Sequence, residues 1–389
     1  MTFCKQNNWK VGAALSGKSS KEIYFDNAAT TAPLFFDCAD GKSPLPYPAN
    51  PSSPHGLGIR AERKLADARK DFAEILGCRP GEIIFTSGGT ESNNLAILGF
   101  ALANKRRGVT LFCEPQAHPS VIEPIKFAAE LGLAEIGDRR DLEGPSRGLR
   151  LVCLSHVSHE TGDICNLAET AARLKRENPE TVVFADGAQG FCKEFGHTGV
   201  DMYSFSGHKI HGAAGFGGLY SGVRLVPFSR GGGQENGLRS GTENLHGAIQ
   251  TACAAKHLAA NLEENHARVA AIKAALREIA YALPDVTENA LSDVVSPYIL
   301  NLSFAGIKGE TLVHVLSENG IFASMGAACR SRKKQKSALE AMGFSKERAE
   351  SAVRFSFSHL NTLEEAEIAK RVVIEKVSEL RRILKRPVS

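Results

Sequence analysis

An α/β chain is predicted, with a largely parallel sheet in a large domain and a smaller α+β domain after it. Three observations predict this. The chain has 389 residues, too many for one ordinary core. Over its first 260 or so residues, short apolar runs alternate with longer stretches of helical period, the pattern of βαβ units. Beyond them the order changes to long helix, strand, helix, strand and final helix. The expected divisions are an N-terminal extension over 1–22, a large domain over 23–262 and a small domain over 263–389.

The elements follow in order. Residues 33–54 are dense in proline and predict ordered loop or short turns. His55 to Leu76 predicts a helix, because Ala61, Leu65, Ala68, Phe72 and Leu76 recur at three- and four-residue steps. Ile83–Phe85, Val109–Phe112, Leu151–Leu154 and Val182–Ala185 predict strands, with Pro80-Gly81 before the first and Ser87-Gly88-Gly89 after it. Residues 138–150 are polar and predict a surface connection. Residues 246–283, rich in Ala, Leu, Glu and Lys, predict one long helix between the domains. Tyr298–Phe304 and Val353–Phe357 predict strands, and Gly309–Asn319 and Leu363–Leu384 predict helices.

Composition narrows the function. Hydrophobic residues are 43% and charged residues 23%, the balance of a soluble globular protein. A net charge of +4 gives no reason to expect nucleic acid as a partner. No apolar run approaches the ~20 residues needed to span a bilayer, so no membrane is expected. The nine cysteines include no CxxC pair, which predicts neither a disulfide framework nor a metal site. Free thiols in a reducing compartment, by default the cytoplasm, are the simpler expectation. The N-terminus lacks a secretory h-region, and organelle targeting stays open.

The chemistry-bearing residues lie at strand ends. Val182–Gln189 is an apolar run that stops at Asp186, with Gln189 one turn further. Met202–His211 is a second run, ending in Ser206-Gly207-His208-Lys209. In an open α/β sheet, ligands bind beyond the carboxyl ends of the strands. A carboxylate and a lysine on neighbouring strand ends suit pyridoxal 5'-phosphate (PLP). The aspartate would keep the pyridine nitrogen protonated and the lysine would form the Schiff base and shuttle a proton. Alone, such a lysine is more often solvated surface and such an aspartate often a helix N-cap; the pair is harder to dismiss. The glycine-rich Thr86–Asn94 follows a strand and opens a helix, which can seat a phosphate, although a plain strand-to-helix turn reads the same way. Ser206 and His208 could add hydrogen bonds to it.

From about Tyr24 to Leu384 the chain resembles the cysteine desulfurases of the class V aminotransferase family. The matched segments are Asp26-Asn27-Ala28-Ala29-Thr30-Thr31, Asn50-Pro51-Ser52-Ser53 with His55, Phe85 to Asn93, Asp186-Gly187-Ala188-Gln189, Ser204 to Lys209, Gly231 to Glu235, Arg239-Ser240-Gly241-Thr242 and Val353-Arg354-Phe355-Ser356. Their shared order along the chain makes the resemblance specific. It implies the aspartate aminotransferase-like fold type I of PLP enzymes. It also implies roles. Lys209 binds PLP, Asp186 pairs with its ring nitrogen, and Gln189 contacts its phenolic oxygen. Gly89, Thr90, Ser206 and His208 hold the phosphate. Thr242 reaches the partner subunit's cofactor, which implies a homodimer with shared active sites. His118 stacks on the ring and moves protons. Arg354, helped by Asn50, pairs with the carboxylate of L-cysteine. Cys329, in Ser324-Met325-Gly326-Ala327-Ala328-Cys329, takes the sulfur as a persulfide for a sulfur-acceptor protein, as in iron–sulfur cluster assembly or thiolation.

Two departures stand out. His159 occupies the place of an asparagine that bonds the cofactor's phenolic oxygen, so an imidazole would have to donate that bond. Arg330, Arg332, Lys333, Lys334 and Lys336 follow Cys329. These cations would favour its thiolate and attract an acidic acceptor, or form a solvated loop. Two alternatives therefore stay open: a selenocysteine lyase or other β-eliminating enzyme, and a catalytically weak paralogue that binds a scaffold.

Overall fold

The computed structural model describes residues 11–12, 22–36, 49–142, 148–195, 199–325 and 336–384. Its main sheet has seven strands. In chain order, after a short strand β1 (Ile23–Tyr24), they are β2 (Ile83–Thr86), β3 (Thr110–Cys113), β4 (Glu135–Ile136), β5 (Arg150–Ser155), β6 (Thr181–Asp186), β7 (Met202–Ser206) and β8 (Gly217–Ser221). Across the sheet they run β2-β8-β7-β6-β5-β3-β4. The pairs among β4, β3, β5, β6 and β7 are parallel, and β8 runs antiparallel between β7 and β2. The sequence reading assigned no strand to Gly217–Ser221, whose glycines weaken the pattern.

Both faces of this sheet are buried, which explains why its strands read as continuous apolar runs. Ile83, Phe85, Val183, Ala185, Tyr203 and Phe205 face helices α1 (Gly56–Leu76), α4 (Leu167–Glu177) and α5 (Leu245–Ala260). Ile84, Leu111, Leu151, Phe184, Met202 and Leu219 face α2 (Gly89–Asn104) and α3 (Pro119–Glu130). Phe72 of α1 anchors the first face, its ring stacked 4.8 Å from that of Phe205.

The predicted long helix over 246–283 is three pieces: α5, α6 (Leu262–Arg277) and a four-residue turn of helix at Ile279–Ala282. Asn261 makes the first break, and its side-chain amide donates to the His257 carbonyl at 2.8 Å. Such local side-chain bonds compete with the helix ladder. The chain then forms an antiparallel four-stranded sheet, ordered β9 (Val286–Glu288), β10 (Ile299–Phe304), β13 (Ala352–Ser356) and β12 (Ser324–Met325). Helices α6, α7 (Gly309–Glu318) and α8 (Leu363–Leu384) cover it through Val269, Leu276, Leu312, Leu316, Val373 and Val377. β1 joins this body, pairing in parallel with β11 (Ile321–Phe322), and Ile23 and Phe25 lie in its core. A further bridge ties Asp26 to Ser356. The residues after β1 are thereby held beside the main sheet, where the Thr31 amide donates to the His208 carbonyl at 2.8 Å.

Among the described residues, no helix is long and apolar enough to cross a membrane.

Candidate active site

Asp186 is the last residue of β6, and Lys209 lies three residues past the end of β7, in a 3-10 turn over Gly207–Lys209. The strands are parallel neighbours with Asp186 opposite Ser204. The predicted pair therefore meets at the carboxyl edge of the sheet.

A cavity of about 500 Å³ opens there, lined by Gly88, Gly89, Thr90, His118, His159, Asp186, Gln189, Ser206, His208 and Lys209, among others. One end is formed by the loop that starts α2. Gly217 lets that loop approach the sheet, since a Cβ at 217 would stand only 2.6 Å from the Gly88 Cα. Gly88 and Gly89 thus open a sixteen-residue helix into the cavity beside Ser206 and His208, the geometry of an anion seat. Burial pulls the His208 imidazole down to about 4, so at neutral pH it is uncharged and keeps one N–H to donate.

At the other end Asp186 is tightly held. It is 9% exposed. Its Oδ2 accepts from Asn93 Nδ2 at 2.9 Å and its Oδ1 from the Ala188 amide at 3.0 Å. Asn93 also donates to Ser120 Oγ at 2.8 Å and accepts from Ser204 Oγ at 2.6 Å. Ser120 in turn bonds His118 Nδ1 at 2.7 Å, and the His118 ring meets that of His159 edge-on at 5.4 Å. One network thus runs from Asp186 to the histidine pair.

Lys209 stands at the junction with a second cavity of about 340 Å³, which shares His118, His159, Gln189 and Lys209 with the first and adds Glu160 and Arg354. Lys209 Nζ donates to the carbonyls of Ala28 and, at 2.7 Å, Ala29. Burial, followed by the Arg354 charge, pulls its amine down to about 8. Gln189 Nε2 donates to the same Ala28 carbonyl at 2.9 Å. Behind it the buried Lys193 donates to Gln189 Oε1 at 3.4 Å, and burial pulls that amine down to about 7.

In the second cavity, Arg354 Nη1 donates to the His159 carbonyl at 2.7 Å and Nη2 approaches Asp26 Oδ1 at 3.4 Å. Among the described residues its buried Nε has no hydrogen-bond partner, nor has Glu160 Oε2. Burial pushes the Glu160 carboxyl up to about 7 and also raises that of Asp26.

The structure brings together eleven predicted residues: Lys209, Asp186, Gln189, His118, His159, Gly89, Thr90, Ser206, His208 and Arg354 line the cavities, as does Lys336 of the basic stretch. Asn50 and Thr242 are exposed and line neither cavity. Cys329 and residues 330–335 lie outside the described residues. Their described neighbours Ser324, Met325, Lys336 and Ser337 all line the second cavity. Elsewhere, burial raises the thiols of Cys78, Cys113, Cys153, Cys165 and Cys192, which makes them poor nucleophiles.

Sequence reasoning assigned no role to Asn93, Ser120, Asp26, Glu160 or Lys193. For Asn93 a signal existed: it lies four residues after Gly89 on one helix, hence on the same face. Asp26 stood in a segment matched by the resemblance, which gave it no role.

The set fits PLP. The glycine loop with Ser206 and His208 suits its phosphate, the doubly bonded Asp186 its ring nitrogen, and the lysine with a lowered amine its aldehyde.

Residues 23–368 match the family described as Aminotransferase class-V. A NifS/IcsS protein homolog of Lactobacillus delbrueckii subsp. bulgaricus is 38% identical over 89% of this chain and 94% of its own length. The cysteine desulfurase IscS of Pseudoalteromonas translucida is 33% identical over 92% of this chain and 93% of its own. Among solved structures, a NifS-like protein superposes with a TM-score of 0.82 at 30% identity, covering 92% of this chain and 100% of that one.

Proposed function

The chain belongs to the class-V aminotransferase family, and we propose from that premise that it is a PLP-dependent cysteine desulfurase. Its fold is the type I fold of PLP-dependent transferases. One observation carries the reading: Lys209 separates a cavity furnished for a phosphorylated pyridine from one that presents an arginine.

PLP, when bound, supplies the electron sink for bond-breaking next to the substrate's α-carbon. Lys209 would hold it and move the α-proton, for which an amine near 8 is suited at physiological pH. Asp186 is oriented by Asn93 and the Ala188 amide for the ring nitrogen. Gly89, Thr90, Ser206 and His208 would hold the phosphate. Gln189 and His159 would face the phenolic oxygen, and His118 would cover the ring. Arg354 would receive the carboxylate of L-cysteine, since a guanidinium matches a carboxylate fork.

Cys329 would take the sulfur. Its thiolate attacks the substrate sulfur, an S–S bond replaces the C–S bond, and the carbon skeleton keeps that electron pair, gains a proton and leaves as L-alanine. L-cysteine and one thiol thus become L-alanine and one persulfide. Two supports apply: Ser324, Met325, Lys336 and Ser337 line the Arg354 cavity, and burial disfavours thiolate at five other cysteines. The cations from Arg330 to Lys336 would then favour an acidic sulfur acceptor. The exposed Thr242 is consistent with a homodimer in which it reaches the partner's cofactor. Free thiols at Cys78, Cys113, Cys153, Cys165 and Cys192 support a cytoplasmic setting.

The test is L-alanine formation from L-cysteine by the PLP-loaded protein with a thiol reductant, beside Cys329→Ala. Cysteine-dependent alanine that is lost in the variant supports the reading. Alanine at an unchanged rate in the variant removes Cys329 as the acceptor of sulfur. Turnover of selenocysteine alone would make the chain a lyase.

A further inference from the structure

We infer that Glu160 takes up a proton when a carboxylate ligand settles beside Arg354, making it the charge-compensating residue of the second cavity; the inference rests on reading that cavity as the substrate site. Around Arg354 the structure gathers two carboxylates. Asp26 Oδ1 lies 3.4 Å from Nη2 and Glu160 Oε1 lies 4.0 Å from Nη1. With both ionised, the guanidinium faces two anions, and Lys209 is the other cation acting on Asp26. An incoming substrate carboxylate would be a third, in a wall with little water to screen it. Neutralising one of the three relieves the remaining repulsion and tightens binding.

Geometry selects Glu160. Asp26 has a hydrogen bond from Arg354 and the bridge at its backbone to Ser356. Glu160 has no side-chain hydrogen bond to Arg354, and its buried Oε2 has no partner among the described residues. An ionised carboxylate that lacks donors at a buried oxygen prefers its protonated form. Burial accordingly holds the Glu160 carboxyl at about 7 already. The groups facing it are Arg354 on β13, Asp26 after β1 and His159 beside it, whose Nε2 lies 3.6 Å from Oε1. Lys209, His118 and Lys336 complete the charged or titratable lining of the same cavity. His159 is the competing site for the proton. It differs from Glu160 in having its ring packed on His118.

The probe is 3-mercaptopropionate, which carries the substrate's carboxylate and thiol and has no amine to join the cofactor. Its affinity for the PLP-loaded protein is measured by inhibition of L-cysteine turnover over roughly pH 6 to 9. Protons taken up are measured by calorimetry in two buffers of different ionisation enthalpy. In the wild type, affinity should fall by up to roughly tenfold per pH unit above neutrality, with uptake of up to about one proton. In Glu160→Gln the fall and the uptake should both disappear relative to the wild type. If that variant does not load cofactor, Glu160→Asp carries the test and should shift the fall along the pH axis. Uptake that persists in Glu160→Gln, as it would if His159 took the proton, overturns the inference. So does a uniform loss of affinity at every pH with the slope intact in Glu160→Gln, or a fall that stays at the wild-type pH in Glu160→Asp. Arg354→Lys separates the two readings: if it binds the probe as tightly as the wild type, the substrate-site reading itself fails.

Discussion

The two cavities that meet at Lys209 are built in opposite ways. In the first, both oxygens of Asp186 are bonded, and Asn93 links them to Ser204, Ser120 and His118. In the second, Arg354 Nε and Glu160 Oε2 are buried without partners among the described residues, and two carboxylates are held above their usual range. A group that stays bound through every turnover can be met by a finished, preorganised network. A ligand that enters and leaves each cycle is met by unspent capacity, because bonds made in advance would have to be broken for it. The contrast is what one lysine serving a resident cofactor and a passing substrate requires.

Substitutions in either cavity test whether the two are independent. The largest effect is expected at the junction. Lys209→Met should lower alanine formation on the order of 10³-fold or more, since it removes both the attachment point and the proton carrier. Cofactor should then be removable by dialysis. A variant that retains turnover would detach Lys209 from the chemistry of either cavity.

Next is the second cavity alone. Arg354→Gln should cost about 2–5 kcal/mol of kcat/KM, as for truncating one partner of a buried charge pair, and mostly as a raised KM. The visible absorbance of bound cofactor should be kept. Simultaneous loss of cofactor would show the two cavities to be one unit.

The converse substitution is Asn93→Ala. Leaving Asp186 and Ser120 short of a partner should weaken cofactor affinity by about 1–3 kcal/mol. Once loaded, the variant should bind L-cysteine with a nearly unchanged KM. A KM change as large as that of Arg354→Gln would contradict the division.

The last effect, of similar size, is on stability without cofactor. Folding lowers the Lys209 amine from the usual lysine value to about 8. Below about 8 the lysine is protonated in both states, and the folded chain bears the full penalty. Between about 8 and its unfolded value the folded chain has released a proton that the unfolded chain still binds, so stability rises with pH. Lys209→Met should therefore be more stable than wild type at neutral pH, by about 1–3 kcal/mol. The gap in urea midpoints should narrow as pH rises towards 10.5. A constant gap would mean that the amine is not perturbed.

Much of the first cavity was legible from order along the chain. Asp186, Ser206, His208 and Lys209 follow apolar runs, and Gly88-Gly89 separates a strand from a helix, so each functional residue sits beside a local signal. The second cavity was less so. Arg354 was read only through a family resemblance. Neither Glu160 nor Asp26 carries a role in the sequence, since nothing local distinguishes a carboxylate that will be buried from one on the surface. The long helix over 246–283 failed for a related reason. Its composition is helical throughout, and the interruption depends on what the Asn261 side chain bonds.

The βαβ alternation, the strand-end aspartate and lysine and the glycine turn are legible in the chain because they are properties of neighbouring residues. Which groups share an electrostatic environment depends on folding. Asp26 reaches Arg354 across 328 residues, and Lys209 reaches Ala28 across 181. The proton affinities of Lys209 and Glu160 are then set by desolvation and by charges that only folding delivers.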